Sequence, residues 1–492
     1  MKKLDGVSLE ISFYEIPNDD QLRNHTESWD SDCNCFFDAR INLVPIHAEK
    51  NPPKLPYTIQ GRAVSVILVE RAEIKSEIEK ANQQALDRMM QSSPVWVDIG
   101  LSRNVIKGMT DRTLLHAGPP ISWERMSGPM KGAVIGASIY EGWAKDARET
   151  EKLAESGGIT FAPDHHYDAV GPMAGIISPN MPVYIVRDTK FGYKTYSNLN
   201  EGIGKVLRYG AYSDEVIQRL NWMRDALAPT LEATIREIRK EKDGVAMVPL
   251  IAQALTMGDD CHNRCNAATS LFLREIAPYM MKTGIDKKTL AETFSFMGEN
   301  NFTLLNLGMA SAKAITLAAH KIRYSTIATA LTRNGTDAGM WVSGLENEWF
   351  TAPAPVPKGV LFPGFTERDA NPDLGDSAIT ETAGFGGFAM AGAPGIVSWV
   401  GGSVAYAIEN TQNMYEITAA KNMNFIIPFL DFQGTPTGVD IRKVVRTGLT
   451  PTINTGIAHK EAGIGQIGAG IVSFPLQIFK QALKSYAQKY SL

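Results

Sequence analysis

Cysteine is scarce in this chain. Only Cys33, Cys35, Cys261 and Cys265 occur in 492 residues. A secreted disulfide framework needs far more of them, so a reducing compartment, the cytoplasm, is the expectation. Basic charge is not in excess either: the formal net charge is −4. That argues against nucleic acid and anionic membranes as general partners, because both select a basic surplus. The start, "MKKLDGVSLEISFYEIPNDD", has no uninterrupted apolar run and does not read as a signal peptide. No Walker A loop, GxSxG elbow, HExxH pair or clean GxGxxG turn after a strand is present. Nucleotide hydrolysis, serine hydrolysis and zinc proteolysis therefore lack their usual signatures.

One long stretch lacks charge. Between Glu381 and Glu409 runs "TAGFGGFAMAGAPGIVSWVGGSVAYAI", long enough to cross a bilayer. It holds seven glycines and Pro394 and few Leu or Ile. A buried glycine-rich segment is the expectation, with no membrane contact.

What is present suggests several domains, since 492 residues exceed one compact core. The expected class is mixed α/β and α+β, multidomain. An irregular arm covers 1–60 and a small α/β unit 61–105. Within that unit "GRAVSVILVE" (61–70) reads as a strand, 71–91 as a helix and "PVWVDIGL" (94–101) as a strand. An α/β domain with Gly/Pro-rich loops follows at 106–212. Residues 213–322 read as a helical domain, because Val216, Leu220, Met223, Leu227, Leu231, Ile235 and Ile238 keep helical spacing. A glycine-rich α+β domain closes the chain at 323–492.

The stretch "MGDDCHNRCNAATSLFLREI" (257–276) poses the sharpest chemical question. If 250–281 is one helix, Cys261 and Cys265 fall on its apolar stripe with Ala254, Ala268 and Phe272. Free cysteine behaves there as a small hydrophobe. His262 is turned about 100° from Cys261 on such a helix, so the three cannot converge on a metal. No metal is expected. The adjacent stripe carries Asp259, His262, Asn263, Asn266 and Thr269, with Arg264 nearby. A solvated face usually carries Lys and Glu. These directional hydrogen-bonders instead suit a ligand.

Other clusters join them. "PDHHYD" sets Asp164 beside His165 and His166, a proton carrier with a carboxylate to orient it. "SNLNEGIGKVLRYG" offers Asn200 and Glu201. "LTRNGTDAG" places Arg333 and Asn334 at a turn, and arginine can grip a carboxylate or phosphate with two parallel bonds. "GDSAITETAGFGG" contributes Glu381. His459, Lys460 and Glu461 precede repeated glycines in "NTGIAHKEAGIGQIGAG", where turn amides suit an anion. Each also has a plain reading, as a turn, a solvated face or close packing through glycine.

These motifs together resemble the YlbE/YahG-like family. "DRTLLHAGPPISWERMSGPMKGAVIGA", "HHYDAVGPMAGIISPNMPV", "GDDCHNRCNAATSLFLREIAP" and "RNGTDAGMWVSGL" carry the resemblance, with "GDSAITETAGFGGFAMA" and "NTGIAHKEAGIGQIGAG". It spans about residues 80–485 in order. The family implies bacterial proteins encoded beside an FdrA-like protein, some resembling a subunit of oxamate carbamoyltransferase in allantoin breakdown. That activity relates oxalurate and phosphate to oxamate and carbamoyl phosphate. The resemblance thus implies a small anionic substrate and an FdrA-like partner; no cofactor is expected, and the long uncharged segments suggest a homo-oligomer. His165, His166, His262 and His459 would move protons. Asn200, Glu201, Asn263, Arg264, Arg333, Asn334, Glu381, Lys460 and Glu461 would hold the substrate. The alternatives are a non-catalytic binding or scaffold subunit and a metal-dependent hydrolase using the histidines.

Overall fold

Trp96 is one of the largest side chains in the main core. It is fully buried on the strand Pro94–Leu101 and meets Tyr184 and Phe272 edge-on, at 5.9 and 5.4 Å between ring centroids. The computed structural model describes residues 67–492, with side chains from Ile74 onward, and two short strands before them. Those strands, Val7–Leu9 and Leu43–Pro45, pair antiparallel within the unit Met1–Ile67. The rest of the expected arm, and residues 61–66 of the expected first strand, lie outside the described residues. Ile67–Glu70 begin a helix, Ile67–Gln91, instead of ending a strand. Glu and Lys with few β-branched residues favour that helix through its length.

Leu68–Leu492 form one compact unit. Its first sheet has the order Lys194–Asn198, Pro182–Asp188, Pro94–Leu101, Val245–Ala246, with every pairing antiparallel. The helices Asp214–Trp222, Ala228–Ile238, Met247–Thr256, Asn266–Met280, Lys287–Glu299 and Leu305–Ala318 supply the helical part. Every periodic position from Val216 to Ile238 is buried, as the spacing predicts. One core joins these helices to the segments before and after them, from Ala81 to Ala458.

A second sheet runs Phe350–Pro353, Asp337–Val342, Ala328–Asn334, Leu374–Gly375. A third runs Lys358–Leu361, Gln466–Ser473, Thr452–Ala458. Thr418–Ile427 and Gln433–Val439 make a hairpin. Among the described strands only Thr113–His116 and Thr160–Pro163 pair in parallel. The mixture of helix and small sheets agrees with the expected mixed class, whereas parallel α/β units are nearly absent from the pairing.

The uncharged stretch is buried over 382–393, but Gly395, Ser398 and residues 402–405 are exposed, so the expected burial holds for its first half alone. It makes a 3-10 turn, Gly386–Gly392, then the helices Val397–Val400 and Val404–Ile417. No described helix is long and apolar enough to cross a membrane. Glycine serves close approach here: a Cβ on Gly387 would sit 2.5 Å from the Thr452 carbonyl oxygen.

Candidate functional site

The helix expected over 250–281 is broken. It stops at Thr256 and restarts at Asn266. Acidic side chains break it by offering the backbone better partners than a helix would. Asp260 accepts the amides of His262 at 3.0 Å and Arg264 at 2.8 Å, and Asp259 accepts that of Ala268 at 2.8 Å. Gly258 and Cys261 take positive φ. The polar residues 259–264 are therefore a loop between helices, not a stripe. Cys261 and Cys265 are buried and unbridged, and burial pushes both thiols well above their ordinary range. They are not reactive thiolates. No cluster that could hold a metal ion is found among the described residues.

The loop is pinned from two sides. Asn454, on the strand Thr452–Ala458, donates through Nδ2 to Asp260 at 2.5 Å, and the Gly386 amide donates to the Asp260 carbonyl at 2.8 Å. This places His262 against Glu381, with Nδ1 to Oε1 at 2.7 Å and both side chains buried. Glu381 also accepts from the amides of Gly387 (2.7 Å) and Asn454 (3.3 Å) and from the Thr380 hydroxyl (2.9 Å). With a carboxylate accepting at Nδ1, that nitrogen carries the proton and Nε2 presents its lone pair. Nε2 has no hydrogen-bond partner among the described residues.

The next two residues turn outward. Asn263 donates to the Thr455 carbonyl at 3.0 Å. Asn263 and Arg264 line a cleft of about 510 Å³ together with Glu201, Arg219, Asn300 and Trp399. The Arg264 side chain is 41% exposed; its Nε makes no hydrogen bond but lies 3.6 Å from the Asp259 carboxylate. Arg219 reaches the Glu201 carbonyl at 3.4 Å. Asn200 backs the same wall: it donates to Asn306 at 2.8 Å and accepts the Gly202 amide at 2.9 Å. Burial raises the Glu201 carboxyl to about 7, against the opposing pull of Arg208 and Arg219. Two guanidiniums and several amide side chains therefore line one space, with the buried Glu201 in its wall.

Three of the expected residues, Glu201, Asn263 and Arg264, line this cleft, with Asn200 buried behind its wall, and His262 with Glu381 adjoins it through the loop. Arg333 and Asn334 do not face it. Arg333 is fully buried, with Nε to Asp373 at 2.5 Å, Nη1 to the Gly375 carbonyl at 2.6 Å and Nη2 to Thr455 at 3.4 Å. Asn334 donates to the Pro119 carbonyl and accepts the amides of Thr336 and Asp337. Their donors are consumed by the fold, so neither is free for an anion. His459, Lys460 and Glu461 form a partly exposed turn of their own. The Glu461 amide donates to His459 Nδ1, and Lys460 Nζ donates to the Arg368 carbonyl. His165 lies in a separate buried cluster around Lys313, with His166 at its exposed edge.

The sequence reading did not single out Asp260, Asn454, Thr455, Arg219 or Asn300 for this site. Asn454 and Thr455 open the motif whose His459–Glu461 end drew attention. Arg219 reads as one charge on an amphipathic helix. Lys313 left a local trace: it is the single charge in the small-residue run "NLGMASAKAITLA".

The fold and cleft define a mixed helix-and-sheet protein with a polar cleft between a broken helix and a glycine-rich turn. Comparison with known proteins then fixes the family. A model described as "Oxamate carbamoyltransferase subunit AllG" matches residues 159–377. Over 419 residues the chain is 46% identical to oxamate carbamoyltransferase subunit AllG of Escherichia coli K12, covering 85% of this chain and 99% of that protein. It is equally identical to the uncharacterized protein YahG of the same organism, covering 88% of it. A crystal structure of a conserved protein of unknown function from Enterococcus faecalis V583 superposes with a TM-score of 0.82 at 47% identity. It covers 84% of this chain and 99% of that one. The chain belongs to the AllG/YahG family. The YahG part of the expected resemblance is thereby met; the YlbE name finds no counterpart in these matches.

Proposed function

We propose that this chain is a subunit of a carbamoyltransferase, binding small anionic carbamoyl compounds in the cleft beside His262. The fitting substrates are oxamate or oxalurate, with phosphate or carbamoyl phosphate, in ureide nitrogen breakdown. The observation that carries this is the convergence of Arg219, Arg264, Asn263 and Asn300 on one cleft next to a carboxylate-oriented histidine. Guanidinium groups match a carboxylate or phosphate. Amide side chains match the carbamoyl group. A tetrahedral centre forms during transfer, so the site needs aimed donors and a proton carrier. The name of the curated relative supports a multi-subunit enzyme. An FdrA-like protein is the partner we favour, and Met423, Phe429 and Phe432, exposed on the hairpin Thr418–Val439, suit a subunit contact. Homo-oligomerisation belongs to the same proposal.

A thermal-shift titration tests the cleft. Oxamate at a hundred times its Kd should stabilise the chain by about 2.7 kcal/mol. Arg264→Ala and Arg219→Ala should each weaken binding roughly tenfold to a hundredfold, the cost of one charge-assisted contact. No shift with oxamate, oxalurate, phosphate or carbamoyl phosphate, in the isolated chain or in the assembled complex, would end the proposal.

Binding should also depend on pH. Glu201 is neutral below about 7 in the folded chain. Oxamate stays an anion across that range, so its affinity should fall, by up to roughly tenfold, as Glu201 ionises between pH 6 and 8. Glu201→Gln should flatten the profile. The stability linkage has the same sense. The folded chain holds the Glu201 proton more tightly than the unfolded chain does. Stability from this group is thus full below the ordinary glutamate value of 4.5 and is lost as pH rises through about 7.

A further inference from the structure

A second cluster of buried ionisable groups lies on the helix Leu305–Ala318. That helix is buried on nearly every face, and Lys313 is its single charge, 1% exposed. An ammonium in such a place normally pairs with a carboxylate. The one polar contact of Lys313 Nζ among the described residues is instead His165 Nδ1, at 3.2 Å. The Trp341 ring lies 4.9 Å from Nζ. His165 Nε2 is 3.5 Å from Asp376, which also accepts the amides of Gly118 and Gly171 and the Thr332 hydroxyl. The cluster reaches the surface at His166, which accepts the Trp349 indole N–H at 2.9 Å.

Several polar atoms here lack partners. Neither oxygen of buried Asp164 receives a hydrogen bond, and His116 Nε2 and Trp341 Nε1 are likewise unpaired. His116 Nδ1 lies 2.8 Å from the Ala117 carbonyl, so it donates there and Nε2 is left as an acceptor. Burial and Asp376 favour the protonated form of Asp164, whose O–H is directed to Asp376, so the unmet groups are one acceptor oxygen on Asp164, the acceptor on His116 and a donor on Trp341. That is the complement of a group with one carbonyl oxygen and an NH₂, beside an amine with a base at hand.

We propose that Lys313 is the amine nucleophile of a second site, one that takes a small carbamoyl electrophile. The choice of electrophile rests on the carbamoyl reading of the family; the nucleophile rests on this cluster alone. The neutral Nζ adds to the carbamoyl carbon and a C–N bond forms. With carbamoyl phosphate the bond from that carbon to the phosphate oxygen breaks, and the Nζ proton passes by way of His165 to the departing phosphate. With isocyanic acid nothing leaves, and the proton ends on the isocyanate nitrogen. The product in both cases is a carbamoylated lysine. Burial favours the reactive form: it lowers Lys313 to about 8, against the attraction of Asp168 and Asp376. Burial and the charge of Asp376 keep a proton on Asp164.

Cyanate labelling of the full chain, read by peptide mass mapping, decides the point. Each lysine is compared folded and in guanidinium chloride, so unequal detection cancels. Lys313 should label roughly tenfold faster in the folded chain, because its neutral fraction is higher there. The exposed lysines of the C-terminal helix should label alike in both states. His165→Gln should slow labelling at Lys313 alone, with circular dichroism unchanged. Labelling of Lys313 no faster folded than unfolded would overturn the proposal, and unaltered labelling in His165→Gln would overturn the base. Neither readout requires turnover or the cleft. A chain that labels at Lys313 yet binds no oxamate would keep this site and lose the proposed function.

Discussion

Replacing His262 by glutamine is expected to lower carbamoyl transfer by the assembled enzyme roughly a hundredfold to ten-thousandfold, the usual worth of a placed acid–base group. The fold should survive. Glutamine can still donate to Glu381, which keeps the Gly387 and Asn454 amides and the Thr380 hydroxyl besides. The backbone amide of residue 262 still donates to Asp260. What disappears is Nε2, the one ring nitrogen without a partner among the described residues. Loss should appear in kcat with KM little changed, whereas Arg264→Ala should chiefly raise KM. Glu381→Gln supplies the contrast. It keeps the shape but removes the carboxylate that fixes the Nδ1–H tautomer, so the rate should fall while substrate affinity stays. Steady-state rates on the reconstituted complex, with urea unfolding as the fold control, give the answer. An unchanged rate in His262→Gln would make the histidine a tie between the loop and Glu381 and nothing more.

His262 also shows how much of this molecule is legible in the sequence. The composition of 259–264 points to a ligand, and the cleft does include Asn263 and Arg264. The geometry inferred for it, a stripe on a continuous helix, is wrong, because periodicity counts residue types and not what Asp259 and Asp260 do with neighbouring amides. Local pattern works where the neighbours in space are neighbours in sequence, as along Val216–Ile238. The partners that make the site are distant along the chain: Glu381 lies 119 residues from His262, and Asn454 lies 194 from Asp260. No period or spacing encodes those pairs. Arg219 on its helix and Asn300 just past the end of another are ordinary locally and gain meaning only when the cleft assembles. Lys313 is the reverse case, a lone charge in an apolar helix, and that local signal was available.

Arg333 carries the same lesson into stability. On a turn after a strand it reads as an anion-binding arginine, yet it is sealed against Asp373, 40 residues on, with both side chains fully buried. Asp373 also accepts from the Thr455 hydroxyl at 2.7 Å. Arg333→Met keeps the volume but strands that carboxylate without its counter-charge and leaves the Gly375 carbonyl short of a donor. The expected cost is roughly 3–5 kcal/mol, the penalty for breaking a buried ion pair from one side. Urea unfolding should show it as a lower midpoint with little change in slope. Asp373→Asn alone should cost a comparable amount, since it strands the guanidinium instead. The double substitution should cost much less than the sum, because no uncompensated charge is left inside. Additive losses would mean that water reaches the pair and that Arg333 is less enclosed than its three protein contacts require. The pair also spans the second and third sheets through Thr455, so the double variant should loosen the strand that carries Asn454. Weaker oxamate binding in that variant, at a stability close to the parent, would then measure how far the site depends on this one buried charge.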